Sequence, residues 1–211
     1  MLVAFDLDDT LFPEMEYVRS AYRAIARRYG SGLLPAMMSA TTPAEAFDST
    51  GLPIEELLAV YRGHFPDIRL PWDSLYLLAS LRNAGHSLAV VTDGRSLTQR
   101  NKFDALGLGR FVDPSLGLMI SEEVGESKTG GRAFRLLEER YGRQCARIYV
   151  GDNPAKDFRT PAMMGWTTVC LLDRGENIHI QDFSGLDAYD LPDRKIHSLY
   201  ELSDLTSLSA H

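Results

Sequence analysis

The 211-residue chain lacks the features that would mark it for export, for a membrane or for nucleic acid. It has only two cysteines, Cys145 and Cys170, and their separation matches no metal-ligand spacing. That excludes a disulfide framework and predicts a reducing compartment. Cys170, inside the apolar run 168–172, reads as a small buried hydrophobe. No apolar run approaches the ~20 residues of a membrane span. The chain also enters an apolar strand at once, without the basic stretch and cleavage site of an export signal. A cytoplasmic protein is expected. Blocks of Lys or Arg are absent too and the net charge is −7, which argues against nucleic acid or an anionic membrane as the main partner. Internal repeats and low-complexity segments are missing. What remains is an ordinary globular composition, 45% apolar and 24% charged, at a length that suits one sizeable core with a smaller inserted unit.

Strand-like apolar runs recur at 2–5, 87–92, 118–121, 148–151 and 167–172. Helical patterns at 73–84, 96–106, 130–141 and 156–164 lie between them, and glycines 85, 107, 142 and 165 mark their stops. This alternation predicts an α/β fold, a Rossmann-like parallel sheet with helices on both faces. It breaks between Phe12 and Pro71, where only helical patterns occur: 15–29, a segment opened by Thr42-Pro43-Ala44-Glu45, and 53–63. The expected organisation is a catalytic core of 1–12 and 72–211 with an all-helical cap, 13–71, inserted into it. Inserted segments above a crevice commonly gate it. The polar stretch 173–195 is expected to wrap the domain edge. Ser198-Leu199-Tyr200-Glu201 reads as a capping box opening a last helix.

The chemistry gathers at strand ends. Residues 3–12 read VAFDLDDTLF, so a buried strand delivers Asp6, Asp8, Asp9 and Thr10 to the edge of the sheet where ligands bind. So much negative charge calls for a cation. Asp6 suits attack on phosphorus, and Asp8 beside it suits protonation of the leaving oxygen and later deprotonation of water. Taken alone, the pair also fits a polar turn after a strand. The second long run ends in Thr92-Asp93-Gly94-Arg95, where a hydroxyl and the following backbone N–H groups can hold phosphate oxygens. An ordinary capped turn would look similar. Lys128 opens a helical pattern, where its charge is mildly unfavourable and asks for another reason, such as pairing with Asp6 and a phosphoryl group. Gly151-Asp152 ends the fourth run, with Asp157 five positions on. Mg²⁺ takes one or two carboxylates with water and phosphate oxygens. Asp6 and Asp152 can supply these, with the Asp8 carbonyl as a third ligand. Thr10 and Asp157 would stand behind them, Asp157 orienting ligands or pairing with Lys128.

The ordered set Asp6/Asp8/Thr10, Thr92, Lys128 and Gly151-Asp152…Asp157 resembles the haloacid dehalogenase superfamily over essentially the whole chain. Phe134, six residues after the lysine, fits that pattern, whereas Thr129 stands where the family often has proline. The resemblance implies a Rossmann-like core, a Mg²⁺-dependent phosphoaspartyl intermediate and a small phosphorylated metabolite as substrate. An acid at position 8 implies the phosphatase branch, because members that cleave carbon–halogen bonds lack one there. A phosphotransferase or mutase would share every motif, and a non-catalytic phosphate sensor would be expected to have lost Asp6 or Asp8. Arg19, Arg23, Arg62 and His64 in the insert, and Arg95 beside the second motif, are candidates for meeting the rest of a substrate. A monomer or a homodimer is compatible with all of this.

Overall fold

A computed structural model describes residues 1–143 and 145–202. Its frame is a six-stranded, all-parallel sheet: β1 (Leu2–Phe5), β2 (Ser87–Thr92), β3 (Leu118–Ile120), β4 (Arg147–Gly151), β5 (Thr167–Leu171) and β6 (Arg194–Ile196), in the spatial order 3-2-1-4-5-6. β1 is flanked by β2 on one side and β4 on the other, which explains why none of its four residues reaches solvent. That order reverses direction at β1, and the crevice beyond the carboxyl ends of the strands opens there.

Strand alternation sends Val3 and Phe5 to one face of the sheet and Leu2 and Ala4 to the other. Helices α5 (Trp72–Asn83) and α6 (Ser96–Ala105) cover the first face through Leu77, Leu78, Leu81 and Phe103. Helix α8 (Arg132–Tyr141) covers the second through Ala133, Phe134 and Leu137. Phe134 meets the rings of Tyr149 and Trp166 edge-on at 5.1 and 5.3 Å. Both faces are closed, as the strand–helix alternation requires.

Between β1 and α5 stand four helices: α1 (Glu14–Tyr29), α2 (Leu34–Ser39), α3 (Pro43–Asp48) and α4 (Ile54–Gly63). They have a cluster of their own in Val18, Tyr22, Ile25, Met37, Phe47 and Leu57. Thr42 caps α3 as its sequence indicates, its hydroxyl accepting the Glu45 N–H at 3.2 Å. The short α2 carries too little periodicity to be read from sequence.

Three expectations need correction. The strand β6 was missed, because only Ile196 of its three residues is buried and its two basic residues resemble loop. Charge of that kind is normal on an edge strand. The helix expected from residue 156 is α9 (Arg159–Met163), because 153–157 make a turn around the Asp157 carboxylate. The helix expected from 130 starts at Arg132, after Gly131 in the left-handed region, and a single helical turn, Lys128–Gly130, precedes it. A one-turn helix, α7 (Ser121–Val124), follows β3. The capping box at Ser198 and Glu201 is present and opens a turn over Leu199–Glu201. Residues of that expected last helix beyond 202 lie outside the described ones.

Candidate active site

Asp6 directly follows β1, and its Oδ1 accepts the N–H of Leu7 at 2.8 Å. The chain then turns tightly, Leu11 N–H bonding back to Leu7 at 3.0 Å, with Asp9 at φ +54°. Aspartate tolerates that left-handed conformation better than most residues. The Asp9 carboxylate is fully used, accepting Glu14 N–H at 2.8 Å and Ile178 N–H at 2.9 Å. It therefore pins the first helix of the insert and the stretch after β5 to the same turn.

Lys128 is 4% exposed and lies between two carboxylates, 3.0 Å from Asp6 and 2.6 Å from Asp157. Its backbone N–H bonds the Asp93 carboxylate at 2.9 Å, and its carbonyl receives Gly131 N–H. These bonds aim the lysine without the proline that the family often has. One oxygen of the Asp93 side chain thus supports the lysine. Asp157 accepts Lys128 and Tyr149 on one oxygen and the backbone N–H groups of Asp152 and Asn153 on the other. A Cβ on residue 151 would lie 2.5 Å from that second oxygen, so this approach requires Gly151.

Asp152 is 3% exposed, and its two oxygens meet only neutral donors, Thr10 at 3.2 Å and Asn177 at 2.8 Å. Carboxylate oxygens of Asp6, Asp152 and Asp157 lie within 4.8 Å of one another. Burial is the main force pushing Asp6 up from 3.8 to about 7; Lys128 opposes it, and Asp157 and Asp8 add to it. Burial, then Asp6 and Asp157, push Asp152 up to about 8. For Lys128 burial works downward, but Asp157 and Asp6 outweigh it and hold the ammonium well above its ordinary range. One lysine does not balance the three carboxylates. Buried carboxylates with free lone pairs and a charge deficit suit a hard divalent cation.

The imbalance has a measurable consequence. A group whose folded pKa is raised stabilises the fold fully below its unfolded pKa, and that stability is lost as pH rises through the folded value. With folded values of about 7 and 8 for Asp6 and Asp152 against an ordinary 3.8, the protein in EDTA is expected to lose thermal stability as pH rises from about 4 and to level off above about pH 8. Mg²⁺ is expected to flatten that slope in a melting series, and equal slopes with and without metal would contradict the charge assignment.

Thr92 is buried and lines the same crevice, as do Gly94 and the exposed Arg95. The crevice holds about 320 Å³, the size of a small-molecule site rather than a polymer groove. Asp6, Asp8, Thr92, Asp93, Gly94, Arg95, Lys128 and Asp152 line it, while Thr10 and Asp157 do not and bond instead to Asp152 and Lys128. Among the cations proposed for the rest of a ligand, only Arg62 and Arg95 reach it. Arg19 pairs with Glu16 on the surface. His64 fastens the insert internally, bonding Tyr61 O and Ser20 Oγ, and Arg23 does not line the crevice.

Sequence reasoning missed Gln99, Lys102, Glu14 and Asn177. The side chain of Asp8 is held by Lys102 Nζ at 2.7 Å and Gln99 Nε2 at 3.1 Å. Glu14 lines the crevice, and burial followed by the neighbouring Asp8 pushes it up to about 8. The stretch after β5 does more than wrap an edge: Gln181 also donates to Asp152 O at 2.7 Å, and His179 lines the crevice. No helix among the described residues is long and apolar enough to cross a membrane.

The family model for haloacid dehalogenase-like hydrolases matches residues 3–170. The chain is 27% identical to a glyceraldehyde 3-phosphate phosphatase from Methanopyrus kandleri, covering 96% of this chain and 95% of that protein. It is 32% identical to a phosphoserine phosphatase from Thermus thermophilus, over 74% of this chain and 65% of that one. In fold it is similar to a 2-haloacid dehalogenase from Pseudomonas syringae (TM-score 0.67, 20% identity, 99% of both chains). It is similar too to the HAD-hydrolase YfnB from Bacillus subtilis bound to magnesium (TM-score 0.65, 19% identity, 97% of both chains). A strand-end carboxylate cluster around a buried lysine, on a parallel sheet that this family's model matches over most of its length, places the chain among the haloacid dehalogenase-like hydrolases.

Proposed function

We propose that the protein is a Mg²⁺-dependent phosphatase acting on a small phosphomonoester, of the sugar phosphate or nucleoside monophosphate class, through a phosphoaspartyl intermediate on Asp6. The observation that carries this reading is the buried Lys128 ammonium between Asp6 and Asp157, with Asp152 beside them and charge still uncompensated. The phosphatases among its relatives support the same chemistry.

Asp6 and Asp152 would hold the cation with the Asp8 carbonyl. Bound there, Mg²⁺ would neutralise phosphoryl oxygens and lower the repulsion between phosphate and carboxylates. Asp6 attacks phosphorus as the bond to the leaving oxygen breaks. That oxygen keeps the electron pair and takes the proton from Asp8, releasing an alcohol. Water then attacks the phosphoaspartate and gives its proton to Asp8. The bond from phosphorus to Asp6 breaks, and inorganic phosphate and the Asp6 carboxylate are restored. Lys128 and Thr92, with the backbone at 93–94, neutralise and orient the phosphoryl oxygens. The helical insert, residues 13–71, would act as a cap, and Arg62 from it and Arg95 from the core, both lining the crevice, would meet the leaving group.

Phosphate release should be measured over a panel including glyceraldehyde 3-phosphate, phosphoserine, hexose phosphates and nucleoside monophosphates. Turnover is expected with Mg²⁺, none in EDTA, and full recovery on adding Mg²⁺ back. Undiminished turnover in EDTA would overturn the metal assignment, and no release from any ester would overturn the reading as a whole.

A further inference from the structure

The residue assigned to proton transfer is gripped by side chains that no motif includes. Lys102, in the last turn of α6, is 2% exposed. Its Nζ lies 2.7 Å from Asp8 Oδ1 and 3.9 Å from Glu14 Oε1, and 4.3 Å from the centre of the Tyr17 ring. Taking an ammonium out of water is costly unless it is paired, and an uncharged side chain would be buried there more cheaply. One helical turn earlier, Gln99 is 3% exposed and donates from Nε2 to Asp8 Oδ2 and to Asp93 O, each at 3.1 Å. Its Oε1 is buried with no hydrogen-bond partner among the described residues, a further cost that folding alone does not explain. The backbone is shaped to admit that side chain, since a Cβ on Gly94 would lie 2.6 Å from Gln99 Nε2.

We infer that Lys102 and Gln99 are positioning residues for the reaction: a two-point clamp, one donor on each oxygen, that fixes the Asp8 carboxyl for proton transfer to the leaving oxygen. The two donors sit three positions apart, so a single helix face presents both to Asp8. Lys102 also touches Glu14 and Tyr17 of α1, so the clamp joins the core to the insert at the crevice. The inference rests on the phosphatase reading, and on the role of Asp8 within it.

The test compares two esters of similar shape, p-nitrophenyl phosphate, whose leaving group needs no proton, and phenyl phosphate, whose leaving group does. For Lys102→Met with Mg²⁺, kcat on phenyl phosphate is expected to fall about a hundredfold, within the range of general-acid contributions. On p-nitrophenyl phosphate the loss should be at least about tenfold smaller, with KM for both within about threefold of the parent. Gln99→Leu, which removes no buried charge, should show the same selectivity at smaller amplitude and serves if the lysine variant folds poorly. Asp8→Asn supplies the benchmark pattern. Equal losses on both esters, or a rise in KM alone, would overturn the clamp and make Lys102 a structural or substrate-binding cation. If the parent enzyme hydrolyses neither aryl ester, the variants are compared on the best ester of the metabolite panel, where a kcat no lower than the parent's removes the clamp. No release from any ester removes the phosphatase reading and the clamp with it, and parent turnover with unselective variants removes the clamp alone.

Discussion

Asp6→Asn is expected to lower kcat at least about ten-thousand-fold, as loss of a covalent nucleophile does in other hydrolases, while leaving the fold intact. The amide is nearly isosteric, so it preserves the close packing around the end of β1, but it cannot form the bond to phosphorus. Its effect on stability separates catalysis from structure. Asp6 titrates near 7 in the folded protein because burial outweighs the pull of Lys128, so its charge weakens the metal-free fold at alkaline pH. Neutralising it should leave the melting temperature in EDTA at pH 8 unchanged or higher, while Lys128 keeps its 2.6 Å contact with Asp157. Rapid-quench kinetics with p-nitrophenyl phosphate would show a burst and a trapped phosphoenzyme for the parent and neither for the variant. Full activity in Asp6→Asn on any phosphomonoester would sink the mechanism.

Lys128→Met is expected to cost both activity and fold. It removes the ammonium from between Asp6 and Asp157, leaving two carboxylates buried at 7% and 0% exposure without the positive charge that paired them. Breaking a buried pair from one side typically costs about 3–5 kcal/mol. The penalty depends on pH, and its sign follows from the acids. Asp6 is already pushed up to about 7 with the lysine present, and without it goes higher still. Stability held by its protonated form is lost as pH rises through that value. Urea denaturation in EDTA should therefore find the variant least damaged near pH 5.5 and most damaged near pH 8.5, with Mg²⁺ recovering part of the loss. A cost under about 1 kcal/mol at pH 8.5, well below the range for buried pairs, would mean the lysine is not paired as described. Undiminished kcat would remove it from the phosphate site.

Much of the site was legible because parallel-sheet enzymes concentrate chemistry at strand ends. A strand end is visible in sequence as an apolar run that stops at a polar residue. Asp6, Thr92 and Asp152 each terminate or directly follow such a run, and β1, β2 and β4, which carry them, are neighbours in the sheet. Asp93 shows the limit of that reading. Its position beside the crevice was visible, but its carboxylate serves the Lys128 backbone, a bond across 35 positions that no local pattern encodes. The arginines show the same limit. Arg19 and Arg62 look alike in sequence, and only the packing of the insert puts Arg62 on the crevice and leaves Arg19 on the surface.

The sequence by itself determined the parallel α/β class, the helical character of the insert and the carboxylates of the site, because hydrophobic period and strand-end punctuation are local properties. The tertiary structure alone decided what surrounds those carboxylates. Lys102 reaches Asp8 from 94 positions away, Asn177 reaches Asp152 from 25, and the Ile178 N–H reaches Asp9 from 169. A lysine in an amphipathic helix is usually a solvated charge, and an asparagine in a polar loop is usually just loop. Their buried roles depend on partners that only folding supplies, since a charge or polar group is stable out of water only where a distant part of the chain meets it.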